Sequence, residues 1–289
     1  KMTETTLSEA GNNEFFGHPA GLSTLFFTEM WERMSYYGMR ALLVLFMTLS
    51  MQEGGLGITV ASASAIYGLY TGAVYFMGLP GGWIADRLIG SQQAVWYGGI
   101  IIMAGHVMLA IPNDNTFFIG LILVVTGTGL LKPNIGALVG QLYSPEDERR
   151  DAGYTLYYMG INLGSIIGYI VCGWLQVNAG YHWAFGAAAI GMGAGLIQFR
   201  LTTYKLEGEG VGPSQPLSAP GRRNSKIAIL VSAAAISLLT LLMLTGSIII
   251  NPVTLAQYVA ITITAVFLAY YAGIYAFADL NSNEKRSLG

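Results

Sequence analysis

Charge is scarce in this sequence. Only 10% of its 289 residues are Asp, Glu, Lys or Arg, while 53% are hydrophobic. Soluble domains carry roughly 25% charge, so the balance points to a polytopic membrane protein. A formal net charge of -2 is too small to suggest a nucleic-acid or acidic partner. The single cysteine, Cys172, excludes an internal disulfide. It sits in an apolar run and reads as a small buried side chain. His18, His106 and His182 are scattered along the chain and do not form a metal set. There is no Cys/His ligand spacing, phosphate-type glycine loop or Ser/His/Asp set, so no metal, cofactor or enzyme chemistry is expected. Residues 1–14 are polar and acidic. They lack the basic start and short apolar core of a cleavable signal, so the first membrane helix would do the targeting.

What is abundant is long apolar sequence. A bilayer takes about 20 helical residues at about 1.5 Å rise each. Stretches near 20–49, 58–85, 92–111, 116–143, 153–178, 182–203, 226–249 and 254–278 meet that length. None alternates in polarity as a membrane strand would, so the expected fold class is an all-α polytopic membrane protein with eight spans. The connections near 50–57, 112–115 and 179–181 contain no Lys or Arg. The opposite side carries Arg87, Arg149, Arg150, Lys205, Arg222, Arg223, Lys226, Lys285 and Arg286. The positive-inside rule places that side, and both ends of the chain, in the cytoplasm.

The domain reading follows. Residues 1–19 form a cytoplasmic segment, 20–204 a six-helix bundle, 205–225 a linker, 226–278 a further helix hairpin and 279–289 a cytoplasmic end. LEGEGVGPSQPLSAPGRRNSK, 206–226, is rich in Gly, Pro and Ser and reads as a mobile linker. Residues 227–278 contain no charge until Asp279 ends the span. That pair reads as a peripheral, lipid-facing hairpin with little to bind a polar substrate.

The first span breaks the pattern. It contains TEMWERMSYYGMRALL, 28–43, with two glutamates and two arginines. At 100° per residue, Glu29, Glu32, Arg33, Tyr36, Tyr37 and Arg40 share an arc of about 140°. Met30, Trp31, Met34, Met39, Ala41 and Leu42 supply the remaining face, suited to lipid or helix packing. Charges at mid-membrane cost several kcal/mol unless paired or hydrated, which makes them functional candidates. The plainer reading is a structural ion-pair ladder, since Glu29 and Arg33 stand at i,i+4. That ladder needs two charges, whereas four charges and two phenols share this face. The fourth span, VVTGTGLLKPNIGALVGQLY, carries Lys132 near its middle, too deep to snorkel easily. Pro133 follows and removes an amide donor. If Lys132 faces the stripe, two acids meet three cations, and the cavity favours a carboxylate or another anion. Protonating a glutamate would release a cation, which couples a proton to an anionic group.

The fifth span reads YYMGINLGSIIGY. Gly160, Gly164 and Gly168 recur every four residues, a seam for close helix packing. Asn162 lies off that seam and offers both donor and acceptor. Tyr67, Tyr70 and Tyr75 on the second span read first as interhelical contacts.

These stretches carry a resemblance. Glu29 to Gly38, EMWERMSYYG, resembles the E-x-x-E-R-F-x-Y-Y-G signature of the proton-dependent oligopeptide transporter family, with Met34 in place of the usual Phe. GGWIADRLIG, 81–90, is similar to the cytoplasmic loop motif of the major facilitator superfamily, with Asp86 and Arg87 in place. LLKPNIGALVGQLY, 130–143, and YTLYYMGINLGS, 154–165, resemble the family's fourth- and fifth-helix motifs. The resemblance runs in order from residue 15 to about 205. Residues beyond 205 look like the extra helix pair of bacterial members.

The resemblance implies a major facilitator fold and proton-coupled symport of di- and tripeptides across the bacterial inner membrane. It implies that Arg33, Arg40 and Lys132 hold the peptide carboxylate, while Tyr37, Tyr75 and Asn162 line the site. Glu29, Glu32, Arg33 and Lys132 would respond to protons, and Asp86 and Arg87 would serve conformational change. No cofactor is implied beyond the proton as coupling ion. The expected partners are di- and tripeptides, protons, the lipid bilayer and a carboxy-terminal bundle not contained in these residues, with no nucleic acid. Animal members carry a proton-linked histidine where this chain has Gly68, so coupling must rest elsewhere. Transport of nitrate or another organic anion is the nearest alternative, and a non-transporting receptor or assembly subunit a distant one.

Overall fold

The computed structural model describes residues 14–277. The expected cytoplasmic end with Asp279, Lys285 and Arg286, and most of the amino-terminal segment, lie outside the described residues. A two-residue strand pair, β1 (Glu14–Phe15) and β2 (His18–Pro19), precedes eight long helices. These are α1 (Gly21–Thr48), α2 (Val60–Ile84), α3 (Ser91–Ala110), α4 (Asp114–Gln141), α5 (Arg150–Ala179), α6 (Tyr181–Thr202), α7 (Ala219–Leu244) and α8 (Pro252–Phe277).

Local chemistry sets several of the boundaries. The Thr59 side chain accepts from the Ser62 amide and starts α2. Asn113 Oδ1 accepts from the amides of Asn115 and Thr116 at the head of α4, and Asn251 does the same for Val253 and Thr254 in α8. Pro80 lies inside α2, which ends in a π-helical turn, Ala85–Ile89. Gly90 then turns the chain with a φ of 87°, a conformation that suits glycine.

Among the described residues, seven helices are long and apolar enough to cross a membrane by length and composition. The expectation of eight spans differs at α1, which has 28 residues and is amply long, but whose glutamates and arginines take it below that threshold. Its charges are tolerated because other helices surround it. α5 and α6 make its principal contacts.

Glycines allow that enclosure. A Cβ on Gly160 would meet the Phe26 carbonyl, and on Gly164 or Gly168 it would overlap the carbonyls of Met30 or Met34. The expected seam on α5 therefore lies on α1. Met30 and Met34 are buried there rather than facing lipid. α3 and α4 approach in the same way through Gly98 with Gly127 and Gly105 with Gly120. Cys172 is buried against Gly38.

Two apolar clusters fill the bundle. One gathers Leu22, Leu25, Leu131, Ile135, Leu138 and Phe199; the other gathers Met39, Leu43, Phe46, Phe117 and Phe185. Along α1, Glu29, Glu32 and Arg33 fall between the two, and Arg40 stands within the second. The hairpin α7–α8 is different: α7 buries no residue, and α8 rests on α2.

The glycine-rich stretch after α6 departs from a free linker. It folds back over the turn between α2 and α3. Gln92 N donates to Gly210 O at 2.9 Å, and Gln215 N to Asp86 O at 2.9 Å. Gln92 Nε2 donates to Glu209 O at 2.6 Å and Ser214 Oγ to Asp86 Oδ1 at 3.0 Å. α7 begins at Ala219 rather than 226, because Pro220 in its first turn is already set for a helix. Arg222, Arg223 and Lys226 therefore lie on α7.

Candidate functional site

Glu29, Glu32 and Arg33 on α1 are 1%, 0% and 2% exposed. Arg33 Nε is 2.9 Å from Glu29 Oε1, and it also touches Glu32 Oε2. The ions meet without complete hydrogen bonding: Glu29 Oε2, both Glu32 oxygens, Arg33 Nε and Arg33 Nη2 lack hydrogen-bond partners of good geometry. The Arg33 guanidinium also lies 5.1 Å from the ring centre of Tyr36 and 6.0 Å from that of Tyr37. A buried cation shared by two acids leaves this trio with a formal charge of -1 when all three are ionised.

The other two cations rest on tyrosines. Arg40 Nε donates to the Tyr67 hydroxyl, with its guanidinium 5.4 Å from that ring and 5.9 Å from Tyr36. Lys132 Nζ stands 4.6 Å from the ring centre of Tyr75, and its charge is felt at Glu32. Among the described residues, neither Arg40 nor Lys132 has a carboxylate partner. Both meet α2, and Tyr67 and Tyr75 stand eight residues apart on one face of it, about 12 Å along the axis. Thr71 lies midway between them. Its hydroxyl and that of neighbouring Tyr70 are buried without hydrogen-bond partners.

The structure thus gathers Glu29, Glu32, Arg33, Tyr37, Arg40, Tyr75 and Lys132 around α1, α2 and α4. Tyr37 also meets Tyr169 of α5, with ring centres 6.0 Å apart. Asn162 is placed differently. It is exposed on α5, and its amide donates to Tyr158 O of its own helix at 3.1 Å. Asp86 and Arg87 lie in the turn closing α2 and are engaged with the segment after α6. Sequence reasoning passed over Tyr157, which is buried beside Glu29. The signal was available, because Tyr157 precedes Gly160 by three residues and Gly164 by seven, on the same seam. Tyr70 was read as an interhelical contact, yet its hydroxyl is one of the unsatisfied groups beside the charged stripe.

The helices and their buried charge define a polytopic membrane protein of the major facilitator fold. The sequence profile described as the POT family matches residues 92–216. Among curated proteins, the chain is 41% identical over 293 residues to the peptide transporter YePEPT of Yersinia enterocolitica subsp. palearctica, covering 99% of this chain and 57% of that protein. It is 40% identical to the di-/tripeptide transporter of Lactococcus lactis subsp. lactis, covering 95% of this chain and 56% of that one. Among solved structures, it matches a peptide transporter POT in complex with sulfate at a TM-score of 0.83 and 41% identity, covering 95% and 56% of the two chains. The chain is thus similar to peptide transporters of the POT family, and it spans about half the length of the curated relatives it matches.

Proposed function

We propose that this chain, working with a second helical bundle, carries out proton-coupled symport of di- and tripeptides across a bacterial inner membrane, with its basic loops and both ends in the cytoplasm. The observation that carries the reading is the pair of cations, Arg40 and Lys132, held against tyrosines of α2 without a carboxylate of their own. A cation resting only on aromatic rings can accept the carboxylate of a peptide without first breaking an ion pair. Relatives named as peptide and di-/tripeptide transporters support the substrate class.

The proton acts at the buried trio. With Glu29 and Glu32 both ionised, Arg33 is held by two charges. A proton on either glutamate removes one of them and frees Arg33 to engage a substrate carboxylate with its planar fork. Loss of that proton to the cytoplasm restores the pair and expels the carboxylate. Alternating access is rocking of this bundle against its partner around the site. The membrane potential adds about 2.3 kcal/mol per charge per 100 mV.

The test is uptake of labelled dialanine into proteoliposomes of the whole transporter, with and without an inward proton gradient. Gradient-driven accumulation blocked by unlabelled tripeptide is the expected result. Uptake unchanged when the gradient is collapsed would refute proton coupling. A second reading, transport of a small inorganic or organic anion such as nitrate, draws on the same unpaired cations and on the sulfate in the related structure. Nitrate accumulation without dialanine accumulation would favour it.

A further inference from the structure

The basic end of the bundle holds two clefts that the transport site does not use. The larger, about 350 Å³, mixes Arg149 and Lys205 with Glu14, Glu207 and Glu209, so its acids offset its cations. The second, about 300 Å³, lies between the start of α3 and the end of α6. It is lined by Gln92, Gln93, Trp96, Tyr97, Phe199, Arg200 and Thr203. It contains one cation and no acid. The Arg200 guanidinium lies 5.9 Å from the Trp96 ring centre and has no carboxylate partner among the described residues.

We propose that this second cleft binds the headgroup of an anionic glycerophospholipid of the phosphatidylglycerol type in the leaflet facing the basic loops. Arg200 takes the phosphate diester, and the exposed amide of Gln93 has donors to offer the headgroup hydroxyls. Trp96 and Tyr97 supply the aromatic setting common at the membrane–water boundary. The acyl chains have a track beside the headgroup. Ile190, Ile197 and Leu201, at spacings of seven and four on α6, are 77%, 64% and 69% exposed and form an apolar stripe ending beside Arg200. The charge inventory selects the headgroup. One cation matches the single negative charge of phosphatidylglycerol. The ammonium of a zwitterionic lipid would find no acid in the cleft.

Native mass spectrometry of the whole transporter tests this, using equimolar phosphatidylglycerol and phosphatidylcholine of identical acyl chains. The expected result is about fivefold preferential retention of phosphatidylglycerol, the weight of one interfacial cation. Arg200→Gln should lose that preference, and Arg222→Gln, at the same end but outside the cleft, should keep it. Quenching of tryptophan fluorescence by phosphatidylglycerol with brominated chains gives a second readout. Trp83, Trp174 and Trp183 are also exposed and are quenched in every variant; the part of the quenching that Trp96→Phe removes is the part that should weaken in Arg200→Gln. Equal retention of the two lipids, or an undiminished preference in Arg200→Gln, would overturn the proposal. Millimolar inorganic phosphate that binds the chain and displaces the lipid would overturn it too, by assigning the cleft to free phosphate.

Discussion

α1 and α7 are nearly equal in length, 28 and 26 residues, and opposite in everything else. α1 carries the two glutamates and two arginines and buries twenty of its residues. α7 has no charge beyond Lys226, its eighth residue, and buries none. Hydrophobicity alone would rank α7 as the better membrane helix, and by composition it is. Yet α1 is the one enclosed by α5 and α6, with glycines admitting its backbone. In lipid there is no hydrophobic reward for packing one apolar helix on another. Close packing is found where small residues and polar groups require it, and the helix that could not face lipid alone stands at the centre.

The sharpest way to break that contrast is to unbalance α1. Arg33→Ala leaves Glu29 and Glu32 buried without a cation. The expected loss is about 3–5 kcal/mol, read as a large fall in thermal unfolding temperature in detergent. Restoring balance with Glu29→Gln and Glu32→Gln in the same chain should recover most of it. A lone Arg33→Ala with near-normal stability would mean the glutamates are neutral or hydrated in the fold.

A smaller effect comes from the seam that admits α1. Gly164→Val would drive a Cβ into the Met30 carbonyl, for an expected cost of about 1–3 kcal/mol. Gly173→Ala has nothing within 4 Å of the added Cβ and should be neutral or stabilise by up to about 1 kcal/mol, the gain in helix propensity. Equal effects at the two glycines would show that the seam does not govern the packing.

Lys132→Ala separates function from stability. Lys132 is only partly buried, and its stack on Tyr75 is worth about 0.5–1 kcal/mol, so the unfolding temperature should move little. Proton-driven dialanine uptake by the whole transporter should nevertheless be abolished. Normal uptake would remove Lys132 from the mechanism. Arg33→Lys is the companion test: wild-type peptide affinity there would show that a point charge suffices.

Much of this was legible along a single helix. The arc of Glu29, Glu32, Arg33, Tyr36 and Arg40 follows from the 100° turn, and the glycine seam from its spacing of four. The pairings across helices were not legible. That Arg40 meets Tyr67 and Lys132 meets Tyr75 depends on the rotation of α2 against α1 and α4, which no periodicity within one span reports. The segment after α6 misled for another reason. Its Gly, Pro and Ser content suits a flexible tether, but Gly90 lets its backbone lie close, since a Cβ there would meet the carbonyls of Gly210 and Val211. Composition cannot tell a chain that is free from one that packs closely. Pro220 was a start signal for α7, hidden within that composition.

The smallest predicted effect lies outside the membrane, where charge is cheap. Asp147, in the loop between α4 and α5, accepts from Arg149 Nε at 3.1 Å, Nη2 at 2.9 Å and the Arg149 amide at 2.9 Å. These bonds, the side-chain ones first, hold its carboxyl below the ordinary value. A group depressed in the fold contributes stability above its unfolded value, and that contribution is lost as pH falls through the folded value. Asp147 lies in a surface loop with its side chain 18% exposed, so the effect on global stability is slight, but it has a local consequence. Arg149 Nη1 also donates to Gly17 O at 3.0 Å, so the carboxylate orients the side chain that pins the turn between β1 and β2. Hydrogen exchange over residues 14–19, corrected for the intrinsic rate, should be faster at pH 3 than at pH 6. Asp147→Asn should exchange fast already at pH 6 and lose most of the pH dependence. Glu14 is a second carboxylate, 4.0 Å from Arg149, and Glu14→Gln controls for it. A pH response that survives Asp147→Asn and vanishes in Glu14→Gln would move the anchor from Asp147 to Glu14. The contrast would stand: the same Arg–carboxylate pairing that is a structural necessity inside α1 is a local fastening at the surface.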